Sequence, residues 1–112
     1  MDLRINNIGW KIVEVPSNFS ELQRSDNVFV LGVTDANMHR VYIANNLSDA
    51  LYTKVLTHEL CHVFCFSYDL CMDIKTEEIV ADFVATYGRD IIDIADNVLS
   101  NLFFKQNKKA IF

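Results

Sequence analysis

Proline and glycine are scarce in this 112-residue chain, one and three respectively, which excludes collagen-like, linker-rich or low-complexity organisation. Positive charge is also scarce. Ten Lys and Arg stand against fifteen Asp and Glu, and a net charge of −5 leaves no electrostatic footprint for nucleic acid. The single basic run, Lys105-Gln106-Asn107-Lys108-Lys109, reads as a solvated tail rather than a phosphate site. No apolar run reaches the length of a membrane span, and Met1-Asp2-Leu3-Arg4-Ile5-Asn6-Asn7 lacks the basic flank and apolar core of a signal peptide. The expected compartment is therefore the cytoplasm. Cys61, Cys65 and Cys71 are an odd set with two members one helical turn apart, which does not make a disulfide framework. They are not paired in Cys-x-x-Cys clusters either, so buried free thiols are expected rather than a structural zinc site.

With 51% hydrophobic and 22% charged residues, the composition is that of one globular domain over residues 1–112, with a core from about 8 to 104 and a basic tail over 105–112. Gly9 to Val15 alternates and stops at Pro16, as a half-buried strand does; Trp10 and Ile12 share one face, Val13 and Val15 the other, so both faces are partly covered. Residues Ser17 to Arg24 fit a short helical turn or a loop equally well. Two β-rich runs, Asn27 to Thr34 and His39 to Ala44, flank the turn formers Asp35-Ala36-Asn37 and predict a hairpin. Next, Asn46 or Ser48 supplies an N-cap for a helix of four or five turns, in which Leu51, Val55, His58 and His62 follow helical spacing. A connector over Tyr68 to Asp73 leads to a second helix beginning near Thr76. Gly88 ends or bends that helix, and the apolar pattern continues to Phe103.

The chemistry concentrates in His58-Glu59-Leu60-Cys61-His62. Positions i and i+4 of a helix project from one face, so His58 and His62 can offer two imidazole nitrogens to a single metal ion. Glu59 is offset just enough to reach a water on that metal rather than the metal itself, which is where a general base belongs. Either histidine alone would more often be satisfied by neighbours. Catalytic zinc takes three protein ligands, and the second helix supplies the third. Glu78 and Asp82 lie four apart with the small Ala81 and Ala85 beside them, so Glu78 can bind metal while Asp82 accepts a hydrogen bond from a ligand histidine's other nitrogen. Glu77 competes, but it points about 100° away on the helix and has no carboxylate one turn later. His39 reads as a surface residue, and Tyr68 and Tyr87 as packing residues.

Four stretches, Gly32-Val33-Thr34-Asp35, Val41-Tyr42-Ile43-Ala44-Asn45, His58-Glu59-Leu60-Cys61-His62 and Glu78-Ile79-Val80-Ala81-Asp82-Phe83-Val84-Ala85, resemble the ImmA/IrrE family of zinc metallo-endopeptidases in its small phage and mobile-element form. The resemblance runs from about Trp10 to Leu99. It implies an α+β, minimal gluzincin-like zincin fold: a small antiparallel sheet over the motif helix, with the Glu-bearing helix completing the site. It also implies His58, His62 and Glu78 as Zn2+ ligands, Glu59 as catalytic base, Asp82 behind a ligand histidine, and a protein substrate such as a phage or mobile-element repressor. Cys61 departs from the Gly common in that motif. The peptide would add to an exposed sheet edge, expected at Val41 to Ala44. No nucleic-acid or membrane partner is expected, and the sequence leaves the oligomeric state open. The alternative function is a zinc-stabilised, non-catalytic protein that sequesters a regulatory partner.

Overall fold

A computed structural model describes the backbone of residues 1–111 and the side chains of residues 1–103. The chain is α+β. Among the described residues, strands β1 (Asp2–Ile5), β2 (Ile8–Val15), β3 (Gly32–Asp35) and β4 (Arg40–Ala44) precede two helices, α1 (Asp49–Ser67) and α2 (Ile74–Ile111), with a 3-10 turn at Ser20–Leu22. The sheet order is β1-β2-β4-β3. The sheet is mixed and not purely antiparallel: β1 pairs with β2 and β3 with β4 in antiparallel fashion, whereas β2 and β4 run parallel. The N-terminal strand, for which the sequence offers little periodicity, forms because Asn6 and Asn7 adopt positive φ (48° and 65°) and turn the chain tightly back onto β2.

The β3–β4 hairpin forms as expected, with Asp35 opposite Arg40. Its first strand is shorter than the apolar run predicts. Residues 27–30 leave the sheet and fold against the 3-10 turn: Val30 N donates to Leu22 O (2.8 Å), and Gln23 bridges Phe29. A second correction concerns the edge. Val41 to Ala44 lies in an interior strand, where Val41, Ile43 and Ala44 are completely buried; β1 and β3 are the edges.

Alternation in β2 and β4 sorts the core into two layers. Trp10, Val41 and Ile43 meet Val63 of α1, and Tyr52, Val55, Leu56 and Leu60 pack around them. On the opposite face Val15, Tyr42 and Ala44 close over Leu22 from the 3-10 turn. Both faces of the sheet are thus covered, as the imperfect alternation of β2 requires. Burial of this apolar surface fixes α1 against the sheet, and a buried hydrogen bond locks its end: Trp10 Nε1 donates to Ser67 Oγ (3.0 Å), while Asn6 Nδ2 donates to Ser67 O (2.8 Å). His39 is not a free surface residue. Its ring lies 5.0 Å from that of Trp10 and 5.5 Å from Phe66, half-buried over the core.

Ser48 is the N-cap of α1, its side chain accepting from Leu51 N. Helix α2 begins at Ile74, two residues before Thr76, and Asp73 caps it. Its carboxylate accepts from Thr76 N at 2.7 Å, and hydrogen bonding from Thr76, by its side chain first and its backbone second, holds the Asp73 carboxyl below its ordinary range. Gly88 does not end the helix: α2 continues through it to Ile111. The Lys105 to Lys109 cluster falls where side chains lie outside the described residues.

Candidate metal centre

Helix α1 presents His58 and His62 to a cleft that it lines together with Leu51, Val55 and the β3 strand, with Glu77, Glu78, Asp82 and Ala85 of α2 on its other side. Ala81 of α2 is completely buried and Val84 and Ala85 are half-buried where α2 meets α1. Small side chains permit the close approach that brings a carboxylate of α2 over two imidazoles of α1. Glu78 Oε1 then lies 2.9 Å from His62 Nε2, Glu78 Oε2 lies 3.3 Å from His58 Nε2, and the two Nε2 atoms are 3.2 Å apart.

Each ring has a second carboxylate at its other nitrogen. Asp82 Oδ1 is 2.9 Å from His58 Nδ1, as the sequence predicts, and Glu77 Oε2 is 2.5 Å from His62 Nδ1. Glu77 is therefore a site residue that spacing alone set aside. A carboxylate at Nδ1 holds the proton there and leaves the Nε2 lone pair facing inward. Two such lone pairs and the Glu78 carboxylate make a knot of acceptors without a donor between them. A cation resolves that knot. Ligands about 2.0 Å from a tetrahedral zinc stand about 3.3 Å from one another, close to the 2.9–3.3 Å separations here. His58, His62 and Glu78 can accordingly hold a metal ion, their donor atoms all within 4.8 Å of one another.

Glu59 sits beside the knot and is only 7% exposed. Thr34, on the edge strand β3, lies within hydrogen-bond reach of both its backbone oxygen (3.1 Å) and Oε1 (3.0 Å). The other oxygen, Oε2, is 3.9 Å from His58 Nε2. Burial pushes the Glu59 carboxyl above the ordinary carboxylate range; the Thr34 hydrogen bond and the two histidines oppose that shift, and Glu78 adds to it. The approach of β3 to α1 depends on Gly32. A Cβ there would stand 2.7 Å from Val55 Cγ1 and 3.1 Å from Glu59 Cγ, so any larger residue would press on the helix beneath the site.

The five residues singled out from spacing, His58, Glu59, His62, Glu78 and Asp82, converge at one end of a cleft of about 1330 Å3. Thr34 and Glu77 join them. The cysteines divide: Cys65 is buried and Cys61 half-buried, with both thiols pushed up chiefly by burial, whereas Cys71 is exposed, against expectation, because it lies in the connector between the helices. All three are free thiols. At the surface Tyr68 stacks on Phe64, and Tyr87 lies tilted against Phe83. No helix among the described residues is long and apolar enough to cross a membrane. Compared with protein-family models, curated proteins and solved structures, the chain has no match.

Proposed function

We propose that this protein is a zinc-dependent metallo-endopeptidase of the zincin type, with His58, His62 and Glu78 as ligands and Glu59 as general base. The observation that carries the reading is the conjunction at one point of three converging donors and a fourth, buried carboxylate that is not among them. A purely structural metal site has no use for that fourth group. Two histidine nitrogens and one carboxylate oxygen favour zinc among divalent ions.

A zinc ion held there supplies Lewis acidity for a scissile carbonyl and an attacking water. The remaining work falls to the chain. Glu59 takes the proton from the water and returns it to the leaving amine; a carboxylate of raised pKa is a stronger base for the first step and a carboxylic acid of matched strength for the second. Thr34 fixes Oε1 and so directs Oε2 toward the reacting atoms. Asp82 and Glu77 keep both histidines in the tautomer that binds metal. The β3 edge, Gly32–Asp35, offers unpaired backbone groups beside the site to an extended peptide. Main-chain pairing of that kind sets little side-chain preference. The resemblance to the ImmA/IrrE family suggests a phage or mobile-element repressor as the substrate.

The test combines metal content with cleavage. Wild-type protein is expected to retain about one zinc per chain after dialysis, while His58→Ala and Glu78→Ala lose it. Glu59→Gln is expected to keep zinc and to lose cleavage of a repressor encoded beside it. Full biological activity in Glu59→Gln would instead assign a metal-stabilised protein that sequesters its partner. Absence of zinc from the wild type would overturn the metal reading itself.

A further inference from the structure

Beyond Gly88, α2 leaves the body of the protein, and every side chain from Arg89 to Phe103 is exposed. That stretch is strongly two-sided. Tyr87, Ile91, Ile94, Val98 and Leu102 recur at spacings of four, three, four and four, with Leu99 beside them. The opposite side carries Arg89, Asp90, Asp93, Asp96 and Asn97. A helix solvated on all sides would not keep such a stripe. Ile91 is 47% exposed, Ile94 63%, Val98 51% and Leu102 51%.

We propose that the projecting half of α2 is a dimerisation helix, and that its occupant is the same stretch of a second copy of this chain. The area fits. About half of each large apolar side chain in the stripe is open, on the order of 700 Å2 per copy, more than the largest patch of an ordinary monomer. Pairing two copies would remove at most roughly 1,400 Å2 from water, which reaches the range of stable, specific interfaces. The stripe is also self-complementary about its middle, where Ala95 is small enough to let two helices approach closely.

The polar side disfavours a membrane surface. A helix that lies on anionic lipid carries Lys and Arg along that side, whereas here Asp90, Asp93 and Asp96 stand against Arg89 among the described side chains of the stretch.

The experiment is sedimentation equilibrium of the full chain. Wild type is expected to weigh twice the 12.9 kDa of one chain, with a Kd of about micromolar or tighter. Val98→Glu combined with Leu102→Glu is expected to be monomeric while retaining wild-type helicity and zinc content, since neither side chain packs on the body. A wild type monomeric at about 100 μM, roughly a hundredfold above that Kd, or a double variant that still pairs, would overturn the dimer. So would a monomeric wild type that floats with phosphatidylglycerol vesicles.

Discussion

The two helices contribute to the same centre from opposite mechanical situations. Helix α1 is packed against the sheet through Leu56, Leu60 and Val63 and tied at its end by Trp10 and Asn6. Helix α2 touches α1 over about three turns, through Glu77, Ala81, Val84 and Ala85, and then departs into solvent. His58, His62 and Glu59 therefore ride on a fixed element, while Glu78 rides on one held largely by the site itself. Metal binding should order α2 far more than α1, because the acceptor knot that α2 helps to form is unfavourable without a cation.

The sharpest way to break the contrast is to remove ligands one at a time. His62→Ala is expected to lower zinc affinity by about a thousandfold or more, measured by competition with a chelator, and to leave the sheet and α1 protected from hydrogen exchange. Glu78→Ala should lower affinity comparably but also expose amides of α2 over residues 77–85; unchanged protection there would show that α2 does not depend on the site, and equal exposure of both helices would erase the contrast between them.

Removing the carboxylates behind the histidines should have a smaller effect of the same kind. Glu77→Gln and Asp82→Asn are each expected to weaken zinc binding about 10–100-fold. Glu77→Gln should cost more, because the Glu77 side chain is 18% exposed against 73% for Asp82 and its contact is the shorter. An equal or reversed order would place the control of histidine orientation elsewhere.

On the α1 side, Gly32→Ala tests the close approach of β3. The added methyl meets Val55 and Glu59, and overpacking of this kind costs about 1–3 kcal/mol, read as a fall in the denaturation midpoint with an unchanged slope. A neutral Gly32→Ala would mean that β3 can lift from the helix freely.

The smallest effect concerns pH. In the metal-free protein the Glu59 carboxyl binds its proton more tightly when folded than when unfolded, because burial disfavours the charged form. Folding stability is then full below the unfolded value and declines as pH rises toward and through the raised folded value. Glu59→Gln removes that decline, so the variant's melting temperature should exceed that of metal-free wild type at neutral pH and match it in acid. A wild type that gains stability on raising the pH through this window, relative to Glu59→Gln, would reverse the sign assigned here.

The Gly9 to Val15 strand, the hairpin, Ser48 as cap and the His58–Glu59–His62 face were all legible in the sequence because each depends on residues a few positions apart. Helical geometry likewise tied Glu78 to Asp82. Glu77 was not legible. Its position about 100° from Glu78 separates their side chains around α2, yet His62 offers nitrogens at two edges of its ring and takes one carboxylate at each. Thr34 escaped notice because its partner lies 25 residues away on another element. The pairing of β2 with β4, which places Val41 to Ala44 inside the sheet and leaves β3 at its edge, is non-local in the same way.

By itself, then, the sequence determined which side chains share a helical turn, since backbone geometry fixes that within a few residues. Only the tertiary structure decided which carboxylate meets which nitrogen, which strand edge faces the cleft and which half of α2 is left bare. Those outcomes depend on how the burial of Trp10, Val41, Ile43 and Val63 orients whole elements against one another, and no local spacing encodes that orientation.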